Sequence, residues 1–186
     1  MLIGYAMCGS FCTFERSLKA LERLSAAGHE IIPIMSKNAY ETDTRFGRAS
    51  MIRERVKAAG GEIINTIAAA EPFGASVKLD LLVISPCTGN TLAKLANGIT
   101  DTPVTMAAKA QLRSDRPVLI ALASNDAMSA NLSNIGTLLC RKGIYFVPMV
   151  QDNPEKKPHS LVADFERLDE AIGAAMAGKQ LRPLFL

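Results

Sequence analysis

Small polar residues crowd the segment Ser85-Pro86-Cys87-Thr88-Gly89-Asn90-Thr91, directly after the apolar run Leu79-Asp80-Leu81-Leu82-Val83-Ile84. This order predicts a buried strand over residues 79–85 and a helix over residues 90–96. Several backbone N–H groups and the positive end of a helix dipole then point at one spot, which suits a phosphate or a polarised ring carbonyl. A helix start needs one capping residue, and here Thr88, Asn90 and Thr91 all compete for the role. Lys94 lies one turn beyond Asn90, and Gly98 ends the helix.

Three other segments that follow predicted strands carry comparable chemistry. Cys8-Gly9-Ser10-Phe11-Cys12-Thr13 offers a glycine for close backbone approach and two hydroxyls, so it reads either as a phosphate seat or as a plain capped turn. It is neither Gly-x-Gly-x-x-Gly nor a Walker loop, which disfavours the common dinucleotide and ATP sites. Ser36-Lys37-Asn38-Ala39 is either a solvated loop or a polar wall for a ribose or ribityl chain. Ser124-Asn125-Asp126 caps a following helix or meets the same ligand. Residues 41–48 lack periodicity; Arg45 and Phe46 there either clamp an acidic ligand or cover the core.

Acid–base and metal chemistry find little support. His29 follows the Gly28 helix stop and His159 sits beside Pro158 in a polar loop, so both read as surface histidines. Cys8, Cys12, Cys87 and Cys140 lack zinc-site spacing, and no histidine is placed to activate a thiol, so no metal site is expected and packing outranks nucleophilic catalysis. The four are expected to be reduced.

The elements that must position these loops alternate along the chain. Strands are predicted over residues 2–7, 31–35, 79–85, 117–123 and 144–148, with a short one over 62–66. Helices are predicted over 14–27, 48–59, 90–96, 103–112, 128–142 and 161–177, and residues 151–158 are a proline-bounded loop. The alternation predicts an α/β, doubly wound parallel sheet in a single domain spanning residues 1–186. A chain that is 48% hydrophobic and 21% charged is ordinary globular chemistry. The net charge of +3 is scattered and tryptophan is absent, which argues against nucleic acid. Neither a leader nor a membrane span is evident, so a cytoplasmic protein is expected.

The segment from Pro86 to Asp101 resembles the pattern Pro-x-[Ser/Thr]-x-Asn-Thr-x-x-Lys-x-Ala-x-Gly-x-x-Asp of the flavoprotein family that includes the cysteine decarboxylases and the flavin prenyltransferases. Cys8-Gly9-Ser10 and residues 124–139 add to the likeness. The resemblance implies a Rossmann-like fold, FMN bound at a subunit interface, and homo-oligomers that are trimers or dodecamers. Carried over by position, Gly9 and Ser10 would hold the FMN phosphate and Ser36 would lie near the ribityl chain or phosphate. Thr88, Gly89 and Asn90 with Ser124 would approach the flavin, with Pro86 in the same cofactor-binding set.

Departures choose among relatives. No histidine lies between Ser36 and Ser85, and the decarboxylase Pro-x-Met-Asn motif is replaced by Ser124-Asn125-Asp126-Ala127-Met128. The prenyltransferase Pro-Arg-Glu-[Thr/Ser]-Pro run is also missing. The chain instead resembles a dipicolinate-forming branch from spore-forming bacteria, through Gly9-Ser10-x-Cys12-Thr13, Asp43-Thr44-Arg45-Phe46-Gly47, Ala70-Glu71-Pro72-Phe73-Gly74, Asp101-Thr102-Pro103-Val104 and Gln151-Asp152-x-Pro154-x-Lys156-Lys157-Pro158. This implies an oxidoreductase component that acts during sporulation. With a separate NADP-binding partner subunit, it would form dipicolinic acid from a dihydrodipicolinate-level intermediate. A small dicarboxylate substrate needs charge-assisted donors, for which Arg45, Lys94 and Lys109 are the candidates, Arg45 first because an irregular loop leaves it free for bidentate pairing. The alternatives are a self-sufficient FMN-dependent decarboxylase or prenyltransferase, and a non-catalytic flavin-binding scaffold for the NADP-binding partner.

Overall fold

In the segment Phe14-Glu15-Arg16-Ser17-Leu18-Lys19-Ala20-Leu21, apolar residues recur at helical spacing, and a computed structural model of residues 1–186 buries Phe14, Leu18, Leu21 and Leu24 on one helix face. Gly28, at φ 83°, ends that helix in the left-handed conformation that other residues disfavour. The elements in chain order are β1 (Leu2–Met7), a short 3-10 turn (Phe11–Thr13), α1 (Phe14–Ala26), β2 (Glu30–Met35), α2 (Lys37–Glu41), α3 (Ala49–Gly60), α4 (Ile67–Ala70) and β3 (Leu81–Cys87). There follow α5 (Gly89–Ala96), α6 (Pro103–Arg113), β4 (Val118–Ser124), α7 (Leu132–Leu139), β5 (Ile144–Phe146), β6 (Met149–Val150), β7 (Leu161–Ala163), a second 3-10 turn (Phe165–Arg167) and α8 (Leu168–Met176).

The sheet order is β2-β1-β3-β4-β7-β6, with β5 also on β4. Strands β2, β1, β3, β4 and β5 run parallel. Two apolar clusters of 27 and 26 buried residues lie on its two sides, so both faces are covered as a parallel sheet requires. No helix is long and apolar enough to cross a membrane. From β1 the chain moves outward to β2 and then crosses back to β3, so the strand order reverses between β1 and β3. A crevice opens at such a reversal, beyond the carboxyl ends of the strands.

Four expectations are corrected. Leu161–Ala163 is a strand and not the start of the last helix; β7 pairs antiparallel with the end of β4, Ser124 opposite Leu161, so the sheet is mostly but not wholly parallel. The predicted strand over residues 62–66 shrinks to a single bridge, Ile64 on Ile34. The helix expected from residue 128 begins at Leu132, because the preceding residues fold into turns around Asp126, whose carbonyl accepts from Ser129 and Asn131 N–H. Ser36 does not lie in a loop but caps α2, its hydroxyl accepting from Ala39 N–H.

The edges of the sheet are closed. Ile64 exchanges hydrogen bonds with the outer edge of β2, donating to Pro33 and accepting from Met35. On β5 the side-chain amide of Gln180 accepts from Phe146 N–H at 2.8 Å and donates to Phe146 O at 2.7 Å. Met149 of β6 donates to Leu184 O and accepts from Leu186 N–H.

Candidate flavin-binding clefts

The β1–β3 crevice is held open by a buried hydroxyl cluster beneath it. Tyr5 Oη donates to Ser85 Oγ at 2.9 Å and lies 2.9 Å from Ser17 Oγ, which itself donates to Ser85 O at 2.7 Å. Tyr5, Ser17 and Ser85 are essentially without exposure, and burial pushes the Tyr5 phenol up to about 12 against the pull of its serine partners. One β1 residue, one α1 residue and one β3 residue are thereby locked at the same height. Pro86 extends the lock: its carbonyl accepts from Cys8 N–H at 3.0 Å. It is itself buried inside β3 and lines neither cleft.

Above this cluster lies a cleft of about 260 Å³ lined by Cys8, Gly9, Ser36, Asn38, Thr88, Asn90 and Lys94, among others. Thr88 caps α5, accepting from Thr91 N–H at 3.2 Å, and Thr91 in turn donates to Cys8 Sγ at 3.3 Å. Burial pushes the Cys8 thiol up to about 11 and raises that of Cys87 well above its ordinary value, so both are neutral packing groups at physiological pH. Lys94 lines the cleft, but its ammonium is committed to Asp101 at 2.7 Å, and that hydrogen bond holds the Asp101 carboxyl below its ordinary range. A Cβ on Gly9 would sit 3.3 Å from Asn38 Cβ and 3.4 Å from Phe11, so only glycine lets the β1 loop close on α2 without displacement.

A second cleft of about 240 Å³ opens on the other side of the β1 loop, lined by Ser10, Cys12, Arg16, Ser124, Asn125 and Lys157 among others. Lys157 pairs with Asp152 at 2.7 Å. Ser124 donates to the Asp126 carboxylate, which also accepts from Asn131 Nδ2 at 2.9 Å. This cluster leans on Gly89, where a Cβ would fall 2.6 Å from Asn131 Nδ2, 2.8 Å from Asp126 Oδ1 and closer still to Ser124 Oγ. Gly89 lines neither cleft but packs the start of α5, whose Thr88 and Asn90 line the first, against Ser124 of the second.

Of the residues expected to bind cofactor, Gly9, Ser36, Thr88 and Asn90 meet in the first cleft, Ser10 and Ser124 meet in the second, and Gly89 is buried between them. The substrate candidates scatter. Arg45 is exposed in a tight turn with its guanidinium 4.9 Å from the Phe46 ring and lines neither cleft, while Lys109 lies on α6 in a separate cavity. Arg16, Asp152 and Lys157 were not among the expected site residues; Asp152 and Lys157 entered only through the motif of residues 151–158, and Arg16 through nothing in the sequence. The histidines stand apart, His29 half-buried just before β2 and His159 exposed before β7. Nowhere do three or more His, Cys, Asp or Glu side chains come together as a metal site would require. A glycine-closed turn, capping hydroxyls, backbone donors and lysines around one crevice form a donor set that fits a phosphate-bearing group with a polar ring.

The chain belongs to the Flavoprotein family, whose model matches residues 2–177. Within that class it is 42% identical over 185 residues to the B subunit of dipicolinate synthase from Bacillus subtilis (strain 168), covering 99% of this chain and 92% of that protein. The crystal structure of the corresponding dipicolinate synthase B subunit from Bacillus halodurans superimposes with a TM-score of 0.91 at 42% identity, over 100% of this chain and 95% of that one. The FMN-dependent cysteine decarboxylase SpaF follows at a TM-score of 0.71 and 26% identity, over 95% of each chain.

Proposed function

We propose that this chain is the flavin-binding component of a dipicolinate-forming synthase. It acts with an NADP-carrying partner to oxidise a dihydrodipicolinate-level intermediate to dipicolinic acid. The observation that carries the flavin part is the meeting of Gly9, Ser36, Thr88 and Asn90 in one cleft at the strand reversal. The likeness to the dipicolinate synthase B subunit over 99% of the chain supports the rest. Gly9, Ser36 and Asn38 would hold the phosphate end of FMN, and Thr88 to Asn90 with Ser124 would face its ring. Bound there, FMN would supply a two-electron acceptor. The chain's own groups bind and orient: Thr88 fixes the start of α5, and Lys94 adds positive charge offset by Asp101. Arg45, exposed and outside both clefts, would meet the dicarboxylate only across a boundary with a second copy or with the NADP-carrying partner. This suits a homo-oligomeric protein of the cytoplasm.

Visible absorbance during FMN titration, followed by turnover assays with and without the NADP-carrying partner, tests this reading. A flavin spectrum and turnover only with the partner are expected; a protein that binds no FMN overturns the assignment. Arg45→Ala should abolish dipicolinate formation without changing the fold, and unchanged turnover would remove Arg45 from the mechanism. A second reading, a scaffold that holds flavin without taking part in chemistry, is favoured by the high thiol values of Cys8 and Cys87 and by a first cleft whose lining includes no histidine. Full turnover by the partner with a flavin-free variant would select it.

A further inference from the structure

Lys109, placed on sequence grounds with the substrate, stands with two other cations at the far end of α5 from the first cleft. Lys109, Arg113 and Arg141 line one cavity of about 440 Å³ together with Leu95, Ile99 and Leu112. Lys109 and Arg113 are one turn apart on α6, a spacing at which like charges repel. Arg141 is pinned, donating Nη1 to Leu95 O at 3.0 Å and Nη2 to Ala96 O at 2.6 Å. No carboxylate lines the cavity. The acids of this region are used elsewhere, Asp101 by Lys94 and Asp115 by Lys142. Three cations with no counter-charge, set around apolar side chains in a concavity of ordinary ligand size, describe a guest with an apolar body and anionic ends.

We propose that this cavity is a second binding site, separate from the flavin clefts, for a small planar dicarboxylate. One carboxylate pairs with Lys109 and Arg113, the ring lies against Leu95, Ile99 and Leu112, and the other carboxylate meets Arg141. Arg141 has a further task there. The last carbonyls of α5 carry the negative end of the helix dipole and would repel an anion, and the guanidinium that caps them reverses the local sign. Helix α5 therefore has Thr88 and the flavin cleft at its start and the dicarboxylate site at its end, so that occupancy of one end can be felt at the other. The choice of dicarboxylate rests on the substrate class of the proposed function; the existence of an anion site does not.

Calorimetric titration of the flavin-free full chain with pyridine-2,6-dicarboxylate tests the proposal. Saturable binding is expected, weakening with added salt. The double substitution Lys109→Gln with Arg113→Gln should weaken it by about tenfold or more, and Arg141→Gln should weaken it comparably. Lys109 and Arg113 are exposed, so the double variant should keep the wild-type thermal midpoint; Arg141→Gln gives up two bonds to the end of α5 and should lower it slightly, and all the variants should keep their FMN affinity. Benzoate, with a single carboxylate, should bind about tenfold more weakly than the dicarboxylate. Undiminished binding by the double variant overturns the proposal, as does equal affinity for benzoate. So does loss of binding in Ser36→Ala in place of the cation variants, which would put the anion in the flavin cleft. A glutamate-rich peptide that binds more tightly than the dicarboxylate, and only to the wild type, overturns it in favour of protein docking. Failure of any kind here, with FMN still bound, leaves the flavin reading standing.

Discussion

The two clefts flanking the β1 loop sit side by side yet are made of different things. The first is walled by the ends of parallel strands and by helix starts, and it offers capping hydroxyls, the space left by Gly9, and Lys37 and Lys94. The second owes its charge to Arg16 and to a loop that only the antiparallel strand β7 brings back to the end of β4. A parallel crossover must leave the sheet edge through a helix, so it presents helix starts; an antiparallel return can lay a charged loop across that edge. The first cleft is therefore fixed by the sheet and its helix starts, while part of the second is added by a loop at the corner.

The sharpest way to break this pairing is at Gly89, where the start of α5 packs against the Ser124–Asp126 cluster. Gly89→Ala should cost about 3 kcal/mol, because the new methyl must displace a cluster whose polar atoms satisfy one another, and should weaken FMN binding with it. Denaturant unfolding reads the first and flavin titration the second; a variant of wild-type stability would show that the cluster yields.

Next comes the floor of the first cleft. Tyr5 and Cys8 keep their protons more tightly folded than unfolded, so their contribution is complete below the ordinary values near 10 and 9 and is lost as pH rises through about 12 and about 11. Stability should fall by roughly 3 kcal/mol per group across that range. Tyr5→Phe should cost about 1 to 2 kcal/mol at neutral pH and flatten part of the alkaline loss, as unfolding at stepped pH would show.

Thr88→Ala removes the α5 cap, for an expected loss of about 1 kcal/mol and a weaker hold on FMN, with the second cleft unaffected. The smallest effect belongs to the corner. Burial raises the Asp152 carboxyl, but the hydrogen bond and charge of Lys157 outweigh it and leave the group below its ordinary value. The pair therefore stabilises above the ordinary carboxylate range and is lost as pH falls through the lowered value. Both side chains reach solvent, so Lys157→Met should lower stability at neutral pH by only a few tenths of a kcal/mol and flatten its loss in acid. A larger change would mean that the corner is as rigid as the crevice.

The same contrast explains what could be read from the chain. Long apolar runs such as residues 81–84 and 118–123, each followed by a helical pattern, mark parallel strands in any order of pairing, and the residues after them are site candidates by position. Gly9, Ser36, Thr88 and Asn90 were legible for that reason. Leu161-Val162-Ala163 is too short for its period to be seen, and next to the helical pattern of residues 168–176 it merges into it. Missing β7 meant missing what its return delivers, Asp152 and Lys157. Lys94 and Lys109 were grouped because either could pair with a carboxylate, and only the structure shows that they line different cavities.

The closed edges of the sheet bear on how this protein can meet others. Ile64 along β2, the Gln180 amide on β5 and the residues from Leu184 to Leu186 beside β6 occupy the backbone groups that an incoming strand would need. Templated strand addition, the route by which exposed edges seed fibrils, has nowhere to start. Copies or partners must recognise one another through side chains, and a variant such as Gln180→Ala, harmless to either flavin cleft, would be the one to watch for slow precipitation on storage.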